Sequence, residues 1–128
     1  MDEVRGRIKN KARAQQIIDY SGLRYGNITP TDVDGLIEYH GKCFILLEYK
    51  HRGKDLPKGQ RRALEALADS LDKPAMIIVA EHHVDDASQD IPAESCRVRE
   101  SYVPGFGWRK GRGTVKALVD AWINFVEQ

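Results

Sequence analysis

An α/β domain around a mixed central sheet is the fold class this sequence predicts, and three observations carry the prediction. Apolar residues recur at helical spacing in three separate stretches. From Asp32 the period changes toward two, and the chain then enters a nearly continuous apolar segment, Lys42–Lys50. A second apolar run, Ala75–Ala80, follows the middle helical stretch and reads as another buried strand.

Residues from about 3 to 20 form the first expected helix, with Val4, Ile8, Ala12 and Ile17/Ile18 on one side and Gly22 as the stop. Gly6 weakens its first turn. Leu23–Ile28 is expected as a short strand. Val33–Tyr39, His40-Gly41 and Lys42–Lys50 then read as a β-hairpin, its second strand central and covered on both faces. His51–Pro57 is a polar loop. Pro57 to about Leu71 is a helix with Ala63, Leu64, Leu67, Ala68 and Leu71 on its apolar face, ended by Lys73-Pro74. After the strand Ala75–Ala80 comes a loop, Val84–Glu94, and then Cys96–Val103 alternates as a strand. Pro104-Gly105-Phe106-Gly107 turns the chain toward Trp108. Thr114–Glu127 closes it as a helix, burying Val115, Leu118, Val119, Trp122, Ile123 and Val126.

The chain has 128 residues, the size of one domain with a core of its own. Hydrophobic residues make up 41% and charged residues 30%, which excludes both a disordered chain and a membrane protein. The start, MDEVRGRIKNK, has no apolar signal-peptide core, and a cytoplasmic location follows as the default. Cys43 and Cys96 stand in no metal-binding or redox spacing and are expected to be reduced. The net charge is only +1, yet it is unevenly spread. Arginine and lysine crowd into Arg5–Arg13, Lys50–Arg62 and Arg97–Lys116, while Pro74–Cys96 holds acids and no Lys or Arg before Arg97.

Asp34, Glu48 and Lys50 are the candidates for chemistry. Glu48 and Lys50 lie two apart on a strand, so both leave by the same face, where an apolar strand meets the sheet margin. Register decides whether Asp34 joins them. A two-residue turn at His40-Gly41 puts Val33 opposite Glu48; a three-residue loop, or a bulge at Gly41, puts Asp34 there. Two opposed carboxylates repel unless a cation lies between them, and Mg²⁺ commonly binds one or two carboxylates while leaving positions for water and phosphate.

These residues resemble a known motif. Asp34…Glu48-Tyr49-Lys50 is similar to the PD-(D/E)XK motif of restriction-endonuclease-like nucleases, whose αβββαβ core has the element order expected over about residues 3–80. Residues 81–128 then form an extension, a C-terminal β-hairpin and helix. Val33–Lys42 with Glu48-Tyr49-Lys50 also resembles the hairpin of Holliday-junction resolvases within that superfamily. The resemblance implies Asp34 and Glu48 as metal ligands, the Tyr49 carbonyl as a third, Lys50 as the catalytic lysine and Gln60 as its helper on the following helix. A Glu from the first helix often joins such sites, and Glu3 is what this chain offers. Val33 replaces the motif's Pro, and Asp32 competes with Asp34 for the Asp role.

The function implied is a Mg²⁺-dependent deoxyribonuclease, with Mn²⁺ able to substitute and DNA as the partner. A junction-resolving homodimer and a monomeric nicking or end-processing enzyme both fit. So does a module of another class, one that binds nucleic acid or inhibits without catalysis. Arg52, Lys54, Lys58, Arg61 and Arg62 on one side, and Arg109, Lys110 and Arg112 on the other, are the expected backbone contacts. The second group lies in a Gly-rich segment with Phe106 and Trp108, which reads equally as a nucleic-acid loop or as a hairpin with Trp108 on the last helix. Residues Arg5, Lys9 and Arg13 share one helical side and are expected to face DNA. His82-His83-Val84-Asp85-Asp86 reads as a solvated acidic loop, since neighbouring strand residues point apart.

Overall fold

The six apolar residues Ala75–Ala80 are all buried, and the strand containing them is the middle of the sheet. The structure, a computed structural model, describes residues 18–128. The chain divides into two compact units, residues 1–30 and 31–128. The first expected helix lies largely outside the described residues, as do Glu3 and the basic stretch Arg5–Arg13, while residues 18–20 are not helical. Leu23–Ile28 does not form a strand. Gly26, at φ 65°, reverses the chain, and Tyr25 and Ile28 close the turn with two backbone hydrogen bonds of 2.8 and 3.0 Å.

The second unit is a five-stranded sheet with a helix on each face. Its elements are β1 (Gly35–Tyr39), β2 (Cys43–His51), α1 (Lys58–Ser70), β3 (Ala75–His82), a 3₁₀ turn (Ala93–Ser95), β4 (Arg97–Val103), β5 (Gly107–Lys110) and α2 (Val115–Glu127). The strands lie in chain order, β1-β2-β3-β4-β5. β2 and β3 are parallel, as a helical crossover between them demands, and every other pair is antiparallel. The expected α/β class and mixed sheet are therefore present, with the C-terminal hairpin and helix. Among the described residues no helix is long and apolar enough to cross a membrane.

Alternation divides the core in two. Ile45, Met76, Ile78, Ala80 and Val98 face α2, where Val115, Leu118, Val119 and Trp122 cover them. Leu46, Ile77 and Val79 face α1, which supplies Leu64 and Ala68. Both cysteines are buried and in no disulfide. The inward stripe of α1 runs Gln60, Leu64, Ala68 at i, i+4 spacing, whereas Ala63 and Leu67 are exposed, which corrects the apolar face expected from the sequence. Trp108 supplies the reason. It packs on α1 rather than on the last helix: its ring lies beneath Arg61, its Nε1 donates to Glu65, and Tyr102 flanks it at 5.2 Å. The helix is thereby rolled toward its Arg61 and Glu65 flank. The glycine-rich segment around Trp108 is thus a hairpin and not a free loop, though Phe106 at its tip is 85% exposed.

Candidate active site

The connection between β1 and β2 holds three residues, His40, Gly41 and Lys42, with Tyr39 opposite Cys43. His40 (φ 49°) and Gly41 (φ 68°) are both left-handed, and Lys42 N–H closes the turn on the Tyr39 carbonyl at 2.8 Å. The last pair is Gly35 with Leu47, so one step further along the same register brings Asp34 beside Glu48. The contacts agree. Asp34 N–H donates to Glu48 Oε2 at 2.9 Å, and Tyr49 N–H donates to Asp34 Oδ2 at 2.8 Å. Each carboxylate thus holds the other residue's stretch of backbone, and the side chains converge at one end of the hairpin.

Glu48 follows Phe44 and Leu46 along the α1 side of β2. There the first inward residue of α1, Gln60, meets it: Nε2 donates to Glu48 Oε1 at 2.6 Å and to the Asp32 carbonyl at 3.2 Å. The same amide's Oε1 accepts from Lys50 Nζ at 3.2 Å. Asp34, Glu48, Lys50 and Gln60 therefore form one hydrogen-bonded group. Asp32, the competing aspartate, is exposed and enters only through its carbonyl. Glu48 lies deeper than a sheet-margin residue should: it is 1% exposed. Burial is the largest influence on its carboxyl and, with the negative Asp34 nearby, pushes its pKa up. The Asp34 N–H, Lys50 and Gln60 pull the other way.

A divalent cation fits this donor set. Two carboxylates, one buried beside the other, are hard oxygen donors of the kind Mg²⁺ takes, and each carboxylate oxygen keeps a second lone pair beyond the bonds above. The Tyr49 carbonyl is adjacent in the chain. Among the described residues there is no group of three or more His, Cys, Asp or Glu that could hold a metal ion.

The expected nucleic-acid contacts separate into groups. Lys58, Arg61, Arg109 and Lys110 line one cavity of about 1020 Å³ between the start of α1 and the β4–β5 hairpin. Arg112 lines a different one, of about 410 Å³, beside Leu118 of α2, and Arg109 and Lys110 line that one too. Arg52 is in an ion pair with Asp85 (2.7 Å), which also meets His51 at 2.8 Å. Lys54 offers its carbonyl to Arg99, and Arg62 is exposed on the outer side of α1. Arg97 and Arg99 also line the larger cavity. Their place there depends on a register shift between β3 and β4 at Val79/Ala80, which a single sequence does not reveal. Comparison with known protein families, with curated proteins and with solved structures finds no match for this chain.

Proposed function

We propose that the protein is a metal-dependent nuclease of the PD-(D/E)XK type, with a restriction-endonuclease-like core, that hydrolyses phosphodiester bonds in DNA. The observation that carries this reading is the single network linking Asp34, Glu48, Lys50 and Gln60, with a buried carboxylate at its centre. Asp34 and Glu48 are the residues to hold Mg²⁺ or Mn²⁺, with the Tyr49 carbonyl. When bound, the ion supplies Lewis-acid charge to the phosphate and a more acidic water at neutral pH. Gln60 fixes the Glu48 carboxylate and, through its Oε1, the position of the Lys50 ammonium. Lys50 places a positive charge where negative charge grows on the phosphoryl oxygens, a term worth orders of magnitude in such reactions. Because the Gln60 amide is itself held by the Asp32 carbonyl, the lysine is oriented before substrate arrives.

One observation favours a second reading, a nucleic-acid-binding or inhibitory module on the same scaffold. Among the described residues no third carboxylate or imidazole joins Asp34 and Glu48. A cleavage panel separates the two: duplex, single strand, flap and four-way junction, each with Mg²⁺, Mn²⁺ or EDTA. The nuclease cuts at least one substrate with metal and none in EDTA, whereas the module binds without cutting. The preferred substrate then distinguishes a junction-resolving dimer from a monomeric nicking or end-processing enzyme.

A further inference from the structure

The larger cavity has a chemistry of its own. Six cations line it, Lys58, Arg61, Arg97, Arg99, Arg109 and Lys110, against three acids, Asp55, Glu81 and Glu100. The acids are already engaged. Glu100 meets Arg61 at 2.5 Å, Asp55 meets Arg99 at 2.9 Å, and Glu81 lies 3.7 Å from Arg99 and 2.9 Å from His83. Lys58, Arg97, Arg109 and Lys110 have no ion pair among the described residues, and all four are exposed. Such a surplus suits a polyanion.

Its position ties it to the candidate active site. Lys50 pairs with Glu81 across β2 and β3, and Glu81 pairs with Arg97 across β3 and β4, so the three run side by side over neighbouring strands. Gln60 likewise sits on α1 between Lys58 and Arg61. The register shift at Val79/Ala80 leaves Arg99 unpaired on β4, and Arg99 then reaches Asp55 and the Lys54 carbonyl. The floor is three strands wide, from Glu81 through β4 to Lys110, or about 10 Å. An extended single strand fits that width, and its bases are free to stack.

The wall also carries a stacking surface. The Arg61 guanidinium lies 4.1 Å from the centre of the Trp108 ring, its Nη2 is held by Glu100, and the side chain keeps 29% of its surface exposed. A flat cation fixed on an indole is a ready platform for a nucleobase.

We propose that this cavity holds a single-stranded tail of a nucleic-acid substrate as it leaves the Asp34–Glu48 site, with Arg97 and Lys110 on its phosphates and a base on Arg61. The proposal rests on the nuclease reading for the site but not for the binding, which needs no metal. The test is fluorescence anisotropy of the full chain in EDTA with three labelled probes: a thymidine single strand, a blunt duplex, and the same duplex with a single-stranded tail. The tailed duplex binds about tenfold more tightly than the blunt one, the value of one good stack. Arg97→Ala with Lys110→Ala lowers the salt slope for the single strand by about 1.4, or two contacts at about 0.7 each, and removes the preference for the tail. Arg61→Lys keeps the charge, and so the slope, but weakens tail binding. Equal affinity for blunt and tailed duplex overturns the proposal, as does a tail preference that survives the double variant. Absence of cleavage with any metal sinks the nuclease reading alone, because these measurements contain none.

Discussion

Glu48 is the residue on which the site turns, and its burial sets what can be done to it. Two donors, the Asp34 N–H and Gln60 Nε2, point at its carboxylate from 2.9 and 2.6 Å. Glu48→Ala leaves the Asp34 N–H without that partner and Gln60 Nε2 with the Asp32 carbonyl alone, at a cost of about 1–3 kcal/mol in stability. Lys50→Ala removes a half-buried side chain with one partner, Gln60 Oε1, and is expected to cost less. Urea unfolding of the two variants checks the order; equal losses would contradict the depth assigned to Glu48. A second residue, Asp85, has the opposite pH character. Its hydrogen bond from His51, followed by the charge of Arg52, holds its carboxyl below the ordinary aspartate range. A carboxyl depressed by folding stabilises the protein above its unfolded pKa, and that stabilisation is lost as pH falls through the folded value. Asp85→Asn is therefore expected to lower the melting temperature at neutral pH. The gap from wild type should close on acidification below the ordinary aspartate range, and a gap constant with pH would contradict the assignment.

At the scale of elements, the hairpin carries the site through its register, and the apolar face of β1 carries the register. Ile37 packs into the α2-side core while Leu36 is 61% exposed, so a slip of one residue would exchange them. Deleting Lys42 leaves His40-Gly41 as a two-residue turn whose left-handed dihedrals already suit a hairpin, and keeps Tyr39 opposite Cys43. The deletion is expected to preserve the fold, losing the exposed Lys42–Glu127 pair and the bond from Lys42 N–H to the Tyr39 carbonyl. Cross-strand NMR contacts between Gly35 and Leu47 check it, and their loss would mean that the loop sets the register. The sequence left two registers open here, and the three-residue alternative, with Asp34 beside Glu48, is the one present. The strands were readable because their apolar runs are local. The roll of α1 was not, since it follows from Trp108, more than 40 positions away from its partners Arg61 and Glu65 in the chain. Glu48's depth was hidden for a similar reason: β2 runs on to His51, and Gln60, 12 positions further along the chain, closes over the carboxylate.

Over the whole molecule, the near-neutral net charge conceals a strong local asymmetry. The basic stretches around Lys58 and Lys110, far apart in sequence, come together in one cavity beside the candidate active site. The acidic stretch Val84–Glu94 contains Asp85, which is bound to His51 and Arg52 at the end of β2. On the proposed reading, affinity is carried by the cavity and chemistry by Asp34, Glu48, Lys50 and Gln60. In the proposed function the second group performs metal-dependent phosphodiester hydrolysis. Asp34→Asn is the cleanest probe of that chemistry, because the residue is exposed and the amide oxygen still accepts from Tyr49 N–H. Cleavage by wild type and by this variant is measured with Mg²⁺, and DNA binding by both in parallel. The cleavage rate is expected to be lower by orders of magnitude in the variant, with affinity equal or higher as one carboxylate charge beside the phosphate is lost. Cleavage by the variant at the wild-type rate, or no cleavage by wild type with either Mg²⁺ or Mn²⁺, would contradict it.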